Sequence, residues 1–158
     1  MEFPQEERLE ACLEEGVPII SFFWQDPSSL VAKAKSAGAV VMQTVATADD
    51  ARRAVDSGAD VVVAQGWEAG GHVRGTVATM PLIPSVVDAV GETPVVAAGG
   101  IADGRGMAAA LALGASGVWI GTRFLAATEI AIHPEYQRQI LAASEAETVY
   151  CDDLFDGG

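Results

Sequence analysis

The chain has 158 residues, 50% apolar, 20% charged and 6% aromatic, with 22 acidic against nine basic side chains and a formal charge of −13. That apolar fraction excludes a disordered chain, and the length suits one domain. The acidic balance excludes nucleic acid and anionic membrane surfaces as partners, and no apolar run reaches the roughly 18 residues of a transmembrane span.

Short Val/Ile/Ala runs alternate with helical patterns along the chain. Strands are predicted over 17–23, 39–45, 60–65, 94–99 and 117–121, and helices over 26–37, 47–57, 81–90 and 103–113. The inner strand residues are continuously apolar, as in Val61-Val62-Val63-Ala64. Strands buried on both faces of a helix-covered parallel sheet read this way. Asp26-Pro27, Thr47 and Asp103 mark helix starts, while Gly38, Gly58 and Gly114 mark ends. Gly-Ala recurs at 38–39, 58–59 and 114–115, each time closing a helix and opening a strand, which is the rhythm of a βα array.

An open doubly wound sheet and a closed barrel both fit this alternation. A nucleotide-binding doubly wound sheet carries its glycine fingerprint after the first strand, where this chain has Phe22-Phe23-Trp24-Gln25-Asp26. Glycines crowd instead behind the last three strands, as expected of barrel loops converging on a ligand. The fold class is therefore α/β, a partial TIM (β/α)8 barrel of about five C-terminal βα units with parallel strands. Residues 1–158 are expected to form a single incomplete barrel domain lacking the first three strands.

Three stretches can carry chemistry. Ala98-Gly99-Gly100-Ile101-Ala102-Asp103-Gly104 ends a strand in two glycines before a helix, where missing Cβ atoms and free helix-start amides favour a phosphate. Gly121-Thr122-Arg123-Phe124 lies about one unit later, and adjacent loops after the last strands form the usual phosphate site of such barrels. Tight turns alone would also explain these glycines. The third stretch, Gln65-Gly66-Trp67-Glu68-Ala69-Gly70-Gly71-His72-Val73-Arg74, runs from a strand into a glycine-dense loop. His72 can take a proton near neutral pH. Gln65 offers an amide to a heterocycle edge, Glu68 either positions His72 or is solvated, and Arg74 is either an anion contact or a surface residue.

Other residues fit structural roles better. His133 stands before Pro134 at a helix entrance, Cys12 suits packing on an acidic helix, and Cys151 lies beside acidic neighbours that discourage a thiolate. Trp24 suits the barrel rim or the core. Two cysteines so far apart form no disulfide framework or metal site, and Met1-Glu2-Phe3-Pro4 does not begin a signal peptide, so a reducing, cytoplasmic location is expected.

Together, the stretches 65–72, 98–104 and 121–126 resemble the nitronate monooxygenase family, formerly called 2-nitropropane dioxygenases. The resemblance implies FMN at the barrel mouth. By the family pattern Gln65, Gly70 and Gly71 would touch the flavin, and Gly99, Gly100, Gly121 and Thr122 would hold its phosphate. His72 would be the catalytic base that deprotonates a nitroalkane and positions the nitronate. The implied reaction turns an alkyl nitronate and O2 into a carbonyl compound and nitrite. FMN-dependent enoyl-acyl-carrier-protein reductases carry similar stretches and are the alternative enzyme; a non-catalytic phosphate-ligand-binding half-barrel is the alternative of another class. An inosine-monophosphate-dehydrogenase-type barrel needs a loop cysteine that neither Cys12 nor Cys151 supplies. Five unclosed strands leave two edges open to self-association, so either the chain is a piece of a longer barrel, the preferred reading, or another copy supplies the missing wall.

Overall fold

The computed structural model describes residues 5–23 and 27–151. These fall into two compact units, one within 1–120 and the other within 121–158. In the first unit, helix α1 (Gln5–Glu14) precedes four βα repeats and a fifth strand: β1 (Ile19–Phe22), α2 (Ser28–Ser36), β2 (Val40–Val45), α3 (Ala48–Asp56), β3 (Val61–Gln65), α4 (Thr79–Val90), β4 (Val95–Ala98), α5 (Gly104–Ala112) and β5 (Gly117–Trp119). All strand pairs are parallel and the sheet order is β1-β2-β3-β4-β5. Each predicted strand is present within its expected range, one to three residues shorter.

Local chemistry sets the helix limits. Thr47 caps α3 by accepting the Asp50 amide at 3.0 Å, and the Asp50 carboxylate reaches back to the Ala46 amide at 3.3 Å. Gly38, Gly58 and Gly114 follow α2, α3 and α5 with φ of +85°, +101° and +97°, the left-handed turn that glycine adopts without penalty. Helix α4 starts at Thr79 rather than at Pro81, because its first amide finds an acceptor outside the helix (below). Pro81 then lies in the first turn, where a missing N–H leaves no bond unmade. Of the predicted start Asp26-Pro27, Asp26 lies outside the described residues, and Pro27 occupies the cap position of α2.

The core lies between the sheet and the helices. Ile20, Phe22, Val41, Val45, Val62 and Ala64 point one way and pack with Val31, Ala34, Ala51, Ala54, Leu82 and Val86. A second cluster joins Ile83, Ala97, Ala110 and Ala115. Cys12 packs against the larger cluster as a small apolar side chain. The expectation of burial on both faces holds for the middle of β3, where Val62, Val63 and Ala64 are all buried. It also holds at the end of β2, where Gln43, Thr44 and Val45 are all buried, but not for β1 and β4, where burial alternates, nor for β5. Ile19 (53% exposed) and Val40 (42%) face away from the core. The opposite sheet face is thus open at the starts of β1 and β2, as the interior wall of a barrel is before closure.

The second unit holds a 3-10 helix (Thr122–Ala126) and α6 (Pro134–Ala142). The Gln137 side-chain amide donates to the carbonyls of Leu125 (3.2 Å) and Ala127 (3.1 Å), tying the two together. His133 caps α6, its Nδ1 accepting the Glu135 amide at 3.2 Å, which is the helix-entrance role expected of it. Among the described residues no helix is long and apolar enough to cross a membrane.

Candidate functional site

The loop from β3 to α4, residues 66–78, runs past the C-terminal ends of several strands and is pinned at each. Gln65, the last residue of β3, uses both ends of its amide on this loop. Its Nε2 donates to the His72 carbonyl and its Oε1 accepts the Arg74 amide, both at 2.9 Å. These bonds take about half the hydrogen-bonding capacity of a carboxamide, leaving one N–H and one lone pair for a ligand. Arg74 is half-buried and donates from its guanidinium to the Phe23 carbonyl, so it ties the loop to the end of β1 rather than standing on the surface. Gly75 passes so near the end of β2 that a Cβ there would lie 2.4 Å from the Ala46 methyl. His72 is exposed at the crest, after Gly71 with φ +77°.

Glu68 does something neither expected role covers. Its Oε2 accepts the Thr79 amide at 2.9 Å and stands 3.0 Å from the Thr79 hydroxyl. A carboxylate from the preceding loop therefore caps α4, whose own cap position, Ala78, has no side-chain acceptor. Thr79 gave no signal in the sequence, since its role depends on a partner 11 residues away.

At the end of β4 the chain makes two left-handed residues in succession, Gly99 (φ +101°) and Gly100 (φ +67°), a conformation that favours glycine at both positions. Without Cβ atoms, such a turn lets a ligand come close to the backbone. Gly99 also serves packing: a Cβ would stand 3.0 Å from the Gly66 oxygen. The expected free amides at the start of α5 are not free. Asp103 accepts the amides of Arg105 (2.9 Å) and Gly106 (3.3 Å), and α5 begins only at Gly104. The Arg105 guanidinium, and after it these two amides, hold the Asp103 carboxyl below the usual carboxylate range. A phosphate here would rest on the glycine turn and not on the helix start.

The remaining predicted residues stand in the second unit. Gly121 is exposed with open space where a Cβ would lie, and Thr122 opens the 3-10 helix. Cys151 is exposed, and Trp24 lies outside the described residues. No cluster of three or more potential metal-ligating side chains occurs among the described residues. A cleft of about 120 Å³ between α4 and α5 touches Glu68 and Gly100. It falls short of the roughly 300 Å³ at which pockets for drug-sized ligands begin.

The glycine turn after β4 and the loop held by Gln65 fit FMN by their chemistry. The successive left-handed glycines suit its phosphate, and the half-used Gln65 amide suits the polar edge of its ring. Comparison with known proteins places the chain in a family. The family model described as nitronate monooxygenase matches residues 2–157. A Mycobacterium tuberculosis protein named (3aS,4S,5R,7aS)-5-hydroxy-7a-methyl-1-oxo-octahydro-1H-indene-4-carboxyl-CoA dehydrogenase is 46% identical over 145 residues, covering 90% of this chain and 41% of its own. A probable nitronate monooxygenase of Bacillus subtilis is 41% identical over 152 residues, covering 90% and 43%. Among solved structures, FabK from Thermotoga maritima superposes with a TM-score of 0.89 at 44% identity, covering 94% of this chain and 48% of that one. A nitroalkane oxidase from Streptomyces ansochromogenes gives 0.76 at 35%, covering 85% and 42%. A mandelate oxidase mutant solved with a monooxide FMN adduct gives 0.65 at 26%, covering 85% and 49%. The chain spans less than half the length of each of these proteins. With a family model running almost from end to end, the chain belongs to the nitronate monooxygenase family.

Proposed function

We propose that this chain supplies the phosphate-holding turns and the proton-handling histidine of an FMN-dependent nitronate monooxygenase. The observation that carries this is the pair of hydrogen bonds between the Gln65 amide and the backbone at 72 and 74, which fixes a loop histidine at the strand ends beside a glycine turn suited to phosphate. When bound, FMN supplies the electron-accepting centre that no side chain can. Gly99 and Gly100, with Gly121 and Thr122, hold the phosphate, while Gln65, Gly70 and Gly71 meet the ring. His72 takes the α-proton of a neutral nitroalkane and then, as a donor, orients the nitronate oxygens. The substrate is a small alkyl nitronate with O2 as co-substrate, and the products are a carbonyl compound and nitrite.

We further propose that residues 1–158 belong to one incomplete barrel domain, lacking the first three strands, that works in the cytoplasm. Two cysteines so far apart in the sequence, Cys12 and Cys151, are in keeping with a reducing compartment. The strands at the two sheet edges, β1 and β5, offer surfaces for self-association.

A second reading has its own observation. The relative from M. tuberculosis is named for a carboxyl-CoA substrate, which favours oxidoreduction of a thioester-bound substrate, the class to which the enoyl-acyl-carrier-protein reductases belong. The FMN-loaded protein separates the two. Consumption of O2 with nitrite release on propionate 3-nitronate, and flavin that stays oxidised under anaerobic NADH, is the expected result. Rapid bleaching by NADH without nitrite formation would favour the thioester reading instead.

A further inference from the structure

The loop bearing His72 and the glycine turn after β4 are joined by a knot of side chain and backbone. The Gly66 amide donates to the Ala98 carbonyl at 2.9 Å. The Thr79 hydroxyl lies 3.0 Å from Glu68 Oε2 and also 3.0 Å from the Gly99 carbonyl, so its single proton stands between an acceptor on each loop. Thr79 is 7% exposed, so the exchange with water that weakens surface hydrogen bonds is largely excluded. No side chain separates the loops at this point: a Cβ on Gly99 would stand 3.1 Å from the Ala69 nitrogen and 3.2 Å from Thr79 Oγ1.

We propose that Thr79 and Glu68 are positioning residues, locking the His72 loop to the Gly99–Gly100 turn so that the two move and bind as one body. The identity of the ligand rests on the FMN reading above; the coupling does not. A ligand held by its phosphate at the turn and by its ring at Gln65 needs both loops at fixed spacing, and small misplacements of such groups are costly. Glu68 supplies the charge that strengthens the bonds to the Thr79 amide and hydroxyl. Thr79 passes that order to the Gly99 carbonyl.

Amide hydrogen exchange on the flavin-free chain, paired with FMN affinity from quenching of flavin fluorescence, tests the coupling. Thr79→Val keeps the shape and removes the hydroxyl, whereas Thr79→Ser keeps the hydroxyl. We expect Thr79→Val to speed exchange about tenfold in both 66–72 and 99–101, with Thr79→Ser close to the parent. FMN affinity should fall about tenfold in the valine variant and be retained in the serine variant. Acceleration confined to the start of α4, with 99–101 unchanged, overturns the proposal, as does failure of serine to restore both segments. Should Thr79→Val not fold, Glu68→Gln, which keeps every atom of the hydroxyl, is read by the same two segments. If no form binds FMN, the cofactor assignment fails, and the exchange pattern still decides the coupling.

Discussion

Replacing Gly66 by alanine is expected to destabilise the protein by about 3 kcal/mol, the upper end of the usual range for forcing atoms into a packed site. A Cβ at this buried position would lie 2.0 Å from Thr79 Oγ1 and 2.6 Å from both the Cα and the nitrogen of Thr79. A side chain could rotate away, but two of these three atoms are backbone at the start of α4. Relief therefore requires moving the helix start, and with it the capping bonds from Glu68. Gly38→Ala makes the control, since nothing lies within 4 Å of its Cβ position and only the left-handed backbone (φ +85°) resists. That substitution should cost about 1–2 kcal/mol. Urea unfolding midpoints of the two variants make the comparison, and Gly66→Ala no worse than Gly38→Ala would show that the loop is not packed as described.

Removing the imidazole with His72→Ala should lower turnover of a neutral nitroalkane by about 10²–10⁴-fold, the usual contribution of a positioned base. Turnover of the pre-formed nitronate should fall much less, because its proton is already gone. Folding stability and FMN affinity should stay near the parent values. The loop is held through the backbone carbonyl at 72, which Gln65 still meets in the variant, and the side chain is exposed. Steady-state kinetics on the two substrate forms at one pH provides the test. Equal losses on both would assign His72 to binding alone, and no loss on either would remove it from the chemistry.

What the sequence made legible was local. Continuous apolar runs located all five strands, because burial in a parallel sheet writes itself into neighbouring residues. Thr47 and Asp103 marked the starts of α3 and α5, since their acceptors bond amides two or three residues on. The left-handed glycines after α2, α3 and α5 were equally plain. What was illegible depends on partners distant along the chain. Glu68 caps Thr79 across 11 residues, Thr79 meets the Gly99 carbonyl across 20, and Arg74 reaches Phe23 across 51. No periodicity encodes such pairs. The start of α4 was placed at Pro81 for the same reason: proline is a visible local mark, whereas the cap from Glu68 is not.

The helix start of α5 carries the opposite lesson. By sequence Asp103 suits a cap, and the stretch around it suits free amides for a phosphate, yet the two roles are exclusive. The carboxylate that starts the helix also occupies its amides. The weight of phosphate binding thus shifts to Gly99 and Gly100, whose left-handed backbone favours glycine.

The central claim is that this chain holds a flavin by its phosphate, and the most direct measurement is a pair of titrations of the folded protein, with FMN and with riboflavin, followed by flavin fluorescence. Hydrogen bonds to a charged group are worth roughly 1.5–3 kcal/mol each, so FMN should bind at least about tenfold more tightly than riboflavin. Equal affinity for the two, or no binding of either by a chain that circular dichroism shows to be folded, would contradict it.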